Sequence, residues 1–194
     1  MIVLISGGAR SGKSSFAEKI AWHQGGKDVC YLATAEIKDQ EMKNRVEKHI
    51  QHRPQAWETI EESHEVSEVL THLTSGSVIL LDCITVYISN LLLSGNKIDN
   101  IDSKQKETEI KSELEKIIKV VKENSLDIII VTNEVGQGII PDNKLGRIYR
   151  DIVGRMNQYL ASEADKVYIT FAGLPVEIKD IGVKNLNKYK ESEQ

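Results

Sequence analysis

Eight residues near the start of the chain are of the types and spacing that handle phosphate. Gly7-Gly8-Ala9-Arg10-Ser11-Gly12-Lys13-Ser14 fits the pattern G-x-x-x-x-G-K-[ST]. Glycines let the backbone turn tightly and aim successive N–H groups at one point, which makes a nest for an anion. A helix starting at that point adds the positive end of its dipole. In such a site Lys13 reaches the β- and γ-phosphates of a nucleoside triphosphate, and the Ser14 hydroxyl holds Mg²⁺. The spacing predicts triphosphate binding with phosphate-transfer chemistry.

Two acids are candidates to complete that site. Val78-Ile79-Leu80-Leu81-Asp82 is an apolar run closed by a carboxylate, the form of a strand whose Asp positions Mg²⁺ near the phosphates. An Asp closing a strand is also ordinary turn chemistry, but next to a P-loop the metal role is favoured, because ligands gather at the carboxyl ends of such strands. The same rule draws Glu134 towards the site, with a surface acid in a loop as the equal alternative. Among five histidines, His49 is set apart by Arg45 four residues before it and Arg53 four after. On a helix these three share one sector. Arginines beside an imidazole suit a phosphate-binding surface, and the imidazole can carry protons or attack phosphorus. Spacing by itself favours a solvated cationic face over that role and leaves His52 as a competitor.

The elements that must hold these groups alternate along the chain. Strands are predicted at Ile2–Ser6, Val29–Ala33, Ser77–Leu81, Ile128–Thr132, Val167–Phe171 and Val176–Lys179, the last two as a hairpin. Helices are predicted at Ser14–His23, from Asp39 to about His52, around Val66–Leu73, at Ile84–Leu93, along the charged stretch carrying Ile110 to Val121, and at Lys144–Ser162. Pro54 is expected to end the second of these at Arg53. Gly95–Ser103 and Gly136–Asn143 read as loops, and the final dozen residues as a frayed polar tail. The reading is a single α/β domain over residues 1–180 with a tail at 181–194. Its sheet is mostly parallel, helices cover both faces, and an antiparallel edge strand lies near the C-terminus.

Composition narrows the partners. With 194 residues, 40% hydrophobic and 28% charged, the chain suits one soluble domain. A net charge of −4 gives no basic excess for nucleic acid or anionic membrane. The opening apolar run is too short for a membrane span and lacks the marks of a signal peptide. Cys30 and Cys83, each in an apolar segment, fit a reduced cytoplasmic protein and core packing.

The ordered set of segments resembles the bifunctional adenosylcobinamide kinase/adenosylcobinamide-phosphate guanylyltransferase family of cobalamin assembly. The resemblance runs from Ile2 to about Lys179. It rests on GGARSGKS at 7–14, YLATAE at 31–36, R-V-x-x-H-x-x-x-R-P-x-x-W from Arg45 to Trp57, and Thr59 with Glu61. LLDCIT at 80–85, NLL at 90–92, VTNEVGQGIIP at 131–141 and RDIVGRMNQ at 150–158 continue it.

The resemblance implies a P-loop fold and two reactions. A nucleoside triphosphate, ATP or GTP, first phosphorylates the aminopropanol hydroxyl of adenosylcobinamide. GMP then passes from GTP to a histidine, with pyrophosphate released, and on to the new phosphate to give adenosylcobinamide-GDP. The family's histidine falls on His49, so the resemblance reverses the reading from spacing. It places nucleotide contacts on Gly7–Ser14, Ala33, Thr34, Ala35, Ile50, Gln51, His52, Arg53, Glu61 and Asp82, and implies a homotrimer. Lys48 and Ile50 flank His49 where family members often carry another basic residue or histidine. Arg147, Arg150 and Arg155 read as a solvated helix face.

Two other function classes share parts of this pattern. A monofunctional P-loop kinase needs the same loop without the histidine. A GTP-switched binding module needs N-K-x-D and D-x-x-G elements, where this chain has Asn133-Glu134-Val135-Gly136 and Asp82-Cys83-Ile84-Thr85.

Overall fold

In the computed structural model, which describes residues 1–36, 40, 53–95 and 102–190, the apolar runs assemble into one sheet. Its strands are β1 (Ile2–Gly7), β2 (Val29–Ala33), β3 (Glu58–Glu61), β4 (Val78–Asp82), β5 (Asp127–Val131), β6 (Lys166–Phe171) and β7 (Leu174–Glu177). The spatial order is β3-β2-β4-β5-β1-β6-β7, and every neighbouring pair is parallel except β6–β7. The described helices are α1 (Lys13–Gly25), α2 (Val66–Thr71), α3 (Ile84–Leu93), α4 (Ser103–Glu123), α5 (Lys144–Glu163) and α6 (Lys179–Lys190). The α/β class and the antiparallel edge are as the sequence predicts. The predicted helix from Asp39 to His52 lies outside the described residues, Gln40 excepted.

Side chains alternate across each strand, and the two sets meet different partners. Ile2, Leu4, Leu32, Ile79, Leu81, Ile128 and Ile130 join a core with α2, α3, α4 and α5. On α4 the buried positions are Ile110, Leu114, Ile117, Ile118 and Val121, one stripe at helical spacing. Val3, Ile5, Tyr31, Leu80, Ile129 and Val131 face the other way, onto α1 and Trp57. The buried residues of α1 are Ala17 and Ala21, small enough to bring that helix close to the sheet.

Three elements differ from expectation. Strand β3 is absent from the sequence reading because Glu-Thr-Ile-Glu offers one apolar side chain and no alternation long enough to register. It forms as a polar parallel edge paired to β2, with Glu61 opposite Ala33. The hairpin strand starts at Leu174, two residues earlier than expected. Ala172 (φ 51°) and Gly173 (φ 80°) make a two-residue turn with both residues left-handed, the geometry that suits strand twist. Residues 181–190, expected to be a frayed tail, are helical. The Glu177 carboxylate accepts from Lys179 N (2.8 Å), and Asp180 sits in the first turn, favourable to the helix dipole. The Lys179 ammonium donates to the carbonyls of Ala161 and Ser162 (2.9 Å each) and to that of Ala164 at the end of α5. That anchor needs the α5 terminus nearby, which no local pattern reveals.

Candidate active site

The carboxyl ends of the strands place the predicted groups side by side. In the parallel register Ala33 is opposite Glu61 on one side and Asp82 on the other, and Asp82 is opposite Val131. Three positions far apart in sequence thus form one row across β3, β2 and β4. The loop between β1 and α1 rises beside that row.

The loop is shaped to leave N–H groups unpaired. Gly12, at φ 92°, precedes α1 and provides no side-chain cap, so the first turn keeps free donors for an anion. Arg10 is also left-handed, at φ 58°. Lys13 Nζ lies over the loop and donates to Gly8 O at 3.2 Å. The back of the loop is clamped by the hairpin: Ser11 Oγ and Thr170 Oγ1 are 2.8 Å apart, and Gly173 N donates to Ser11 O at 3.0 Å. Glu134 N donates to Gly7 O at 3.1 Å. A Cβ on Gly7 would collide with the Thr170 and Ser11 hydroxyls, so the clamp closes only on glycine.

A cavity of about 600 Å³ opens over this loop. Of the predicted site residues, Ala9 to Ser14 line it, together with Ala33, Ala35, Arg53, Glu61 and Asp82. Gly7, which is buried, and Gly8, which is exposed, belong to the loop without lining the cavity. Thr34 is fully buried beneath it, with Oγ1 donating to Cys83 O (2.8 Å) and accepting from Cys83 N (3.2 Å). His49, Ile50, Gln51 and His52 lie outside the described residues, as does Arg45. Glu134 contributes its backbone to the loop, while its carboxylate accepts from Gly136 N at 2.9 Å. Arg147 donates to Pro141 O (2.9 Å) and Asp142 O (2.7 Å), and Arg155 pairs with Glu107, both contacts being on the exposed surface.

Sequence reasoning passed over several residues of this site. Tyr31 and Asn133 also line the cavity. The Tyr31 hydroxyl donates to Asp82 Oδ2 at 2.9 Å, and the Arg53 guanidinium stacks 3.5 Å from the centre of the Tyr31 ring. Burial, then the charge of Asp82, raises the pKa of this phenol, so it stays a donor across the working pH range. Tyr31 is buried inside a strand, so its sequence signal is that of a core aromatic. Asn133 donates to Thr85 Oγ1 at 2.7 Å, and Asn90 donates to Thr34 O (2.8 Å) and Ser63 O (3.2 Å). These bonds knit the floor beneath β2, β4 and β5. Burial and the neighbouring Asp82 also raise the Cys83 thiol, which keeps it protonated and poorly nucleophilic at neutral pH.

A loop able to take phosphates, beside Asp82 and the Arg53 that follows the histidine segment, matches a known group of proteins. The family model described as cobinamide kinase / cobinamide phosphate guanyltransferase, CobU, matches residues 3–178. The chain belongs to this family.

Its curated relatives agree along nearly their whole lengths. The bifunctional adenosylcobalamin biosynthesis protein CobU of Escherichia coli (strain K12) is 39% identical over 183 residues, 92% of this chain and 100% of the relative. The protein of that name from Salmonella typhimurium is 40% identical over 183 residues, with the same coverage. The CobP protein of Pseudomonas aeruginosa is 38% identical over 177 residues, covering 91% of this chain and 96% of that one. Among solved structures, the RadB recombinase aligns with a TM-score of 0.48 at 11% identity, over 87% of this CobU-family chain and 73% of that one. The flagellar accessory protein FlaH of Methanocaldococcus jannaschii aligns with a TM-score of 0.40 at 16% identity, over 90% and 74%.

Proposed function

We propose that this CobU-family enzyme performs both transfers at the cavity over Gly7–Ser14, with His49 as the covalent carrier of GMP. The observation that carries the reading is convergence. The P-loop, Arg53, Glu61 and Asp82 come from separate elements and line one cavity, and Arg53 is four residues from His49 in sequence.

In the kinase step the substrate's aminopropanol hydroxyl attacks the γ-phosphorus of a triphosphate, and the bond to the β-phosphate oxygen breaks. The N–H groups of the loop and Lys13 take up the charge that develops on the bridging and terminal oxygens. In the second step a neutral His49 nitrogen attacks the α-phosphorus of GTP. A P–N bond forms, the α–β bond breaks and pyrophosphate leaves. An oxygen of the cobinamide phosphate then attacks the same phosphorus, breaks the P–N bond and returns the imidazole. Arg53, which lines the cavity, holds phosphate oxygens during that exchange in this reading. Ala33, Ala35, Glu61 and the segment Ile50–Arg53 are proposed contacts to the nucleotide, whereas Thr34, expected among them, is fully buried and supports the lining from beneath.

The donor set fits Mg²⁺. The Ser14 hydroxyl and the Asp82 carboxylate are hard oxygen donors lining one cavity, and among the described residues no cluster of three or more His, Cys, Asp or Glu forms a protein cage. Mg²⁺ bound by a carboxylate, a hydroxyl and substrate phosphates needs no such cage. It would neutralise charge on the phosphates as they separate. Asp82 gives one of about four lone-pair positions to Tyr31 and keeps others for a metal.

Assembly into a homotrimer and residence in the cytoplasm are part of the proposal. Phe171, Leu174 and Val176 stand exposed along the β6–β7 hairpin, an apolar surface suited to burial against another copy. Among the described residues no helix is long and apolar enough to cross a membrane. Sedimentation analysis tests the trimer. The carrier is tested by incubating the protein with GTP labelled at the α-phosphate. The expected result is acid-labile, base-stable label on the denatured chain, lost in His49→Ala. An active kinase that takes up no label would overturn the guanylyl-transfer reading and leave a monofunctional kinase.

A further inference from the structure

Tyr31 sits between the two halves of the proposed chemistry. It lies on β2 opposite Leu80, two residues before Ala33, which is opposite Asp82. Tyr31, Ala33 and Leu80 belong to the same face of the sheet. The Asp82 position is therefore about 6.6 Å further along, at about 3.3 Å per residue. A tyrosine side chain spans that gap with its hydroxyl, and a phenylalanine stops short of it. The observed bond to Asp82 Oδ2, at 2.9 Å, is the outcome.

The ring of the same residue serves a second group. Arg53 lies 3.5 Å over its centre, close enough for a cation–π contact. Arg53 Nε is buried and makes no hydrogen bond. The ring therefore supplies part of what holds the guanidinium in place. Tyr31 is 1% exposed, so ring and hydroxyl are both fixed by packing.

We propose that Tyr31 is a positioning residue for both transfers, with its hydroxyl orienting Asp82 towards the metal–triphosphate and its ring seating Arg53 at the cavity wall. The inference rests on the nucleotide site proposed above. It divides the roles within one side chain. The hydroxyl governs the Mg²⁺-dependent part of nucleotide binding, and the ring governs a part that is independent of metal.

Calorimetric titration of GTP into the whole protein, with Mg²⁺ and then with EDTA, separates these parts. Tyr31→Phe keeps the ring and is expected to weaken binding about tenfold in Mg²⁺, the scale of a hydrogen bond to a charged group, while binding in EDTA stays unchanged. Tyr31→Leu is expected to weaken binding in EDTA as well, because the Arg53 platform is lost. In an Asp82→Asn background, Tyr31→Phe should add nothing in Mg²⁺, since its effect runs through Asp82. Thermal melts of each variant report the fold independently.

Wild-type binding in Mg²⁺ from Tyr31→Phe would overturn the inference while leaving the nucleotide site intact. Equal losses in Mg²⁺ and EDTA from Tyr31→Phe, with a matching drop in melting temperature, would also overturn it by making Tyr31 a packing residue only. If the native protein bound no GTP under either condition, the functional reading itself would fall.

Discussion

On one face of the sheet, helices α2 to α5 bury a continuous layer of Ile and Leu, including Ile79, Leu81, Ile128 and Ile130. On the other, among the described residues, α1 and Trp57 cover a thinner layer that includes Tyr31. The first face is largely apolar, and its buried polar groups, such as the Tyr87 hydroxyl on His64 O (2.9 Å) and the Asn90 amide on Thr34 O (2.8 Å), are satisfied within it. The second carries polar tips, with the Tyr31 hydroxyl on Asp82 and the Trp57 indole N–H on Gly26 O (2.9 Å). Both are built from the same strands, because alternate residues point to opposite sides. Their contrast separates two tasks. The thick face supplies buried area, and the thin one carries the loop and the cavity-lining side chains proposed to meet phosphate.

The largest test of that division is Lys13→Ala. On the proposed role of Lys13 as the cation facing developing phosphate charge, its removal should slow both transfers by about 10²–10³, or ~3–4 kcal/mol, by analogy with loss of a preorganised charge-stabilising donor. Lys13 Nζ makes one described bond, to Gly8 O on the surface, so the melting temperature should stay near that of the native protein. Steady-state kinetics and a thermal melt check the two halves. A large fall in stability would blur the proposed division.

Ile130→Ala is the converse. Ile130 is fully buried in the thick layer, and truncation of such a side chain costs ~2–5 kcal/mol in lost burial and cavity formation. Urea unfolding should show that loss while the remaining folded protein binds GTP with unchanged affinity. Weakened binding by the folded fraction would mean that the thick face tunes the site.

Thr170→Val probes the brace behind the loop. Thr170 Oγ1 meets Ser11 Oγ and donates to Ser6 O at 3.2 Å. The substitution leaves Ser11, itself 8% exposed, without that partner, a loss of ~1–2 kcal/mol for a buried polar group. Divided between stability and loop order, it should weaken GTP binding several-fold. Unchanged binding would show that the loop holds its shape without the hairpin.

The division also explains what the sequence revealed. The P-loop was legible because its glycines, lysine and serine are required at fixed spacing, and the strand and helix flanking it have strong apolar patterns. Asp82 was legible from the apolar run before it. The thick face was legible throughout, since the period of α4 states which side is buried. Strand β3 was not, because its pairing with β2 replaces the apolar alternation that its own residues lack. The Thr170 and Gly173 clamp was hidden for the same reason: it joins positions about 160 residues apart in sequence. Tyr31 was hidden by its own type, since a buried tyrosine in a strand looks like packing until the partner of its hydroxyl is known. Residues 181–190 looked frayed because the contacts of Lys179 with the end of α5 are tertiary.

The smallest expected effect lies where the two faces meet, at Glu62. This residue follows β3 at the rim of the site, and Oε1 accepts from His64 N (2.7 Å) and Glu65 N (3.0 Å) just before α2. Burial pushes the carboxyl pKa up, but the backbone N–H groups of Glu65, His64 and Ser63, with the charge of His64, outweigh it and hold the value below the ordinary 4.5. A depressed folded-state pKa adds stability that is complete above the unfolded value and disappears as pH falls through the folded one. Glu62→Gln should therefore melt below the native protein by about one or two degrees near neutral pH, a small shift because the half-buried carboxylate is still partly screened by solvent. That gap should close as the pH drops below 4.5, where the native carboxylate takes up its proton. A gap that stays constant through that range would assign the effect to amide packing and remove the charge from the account of α2.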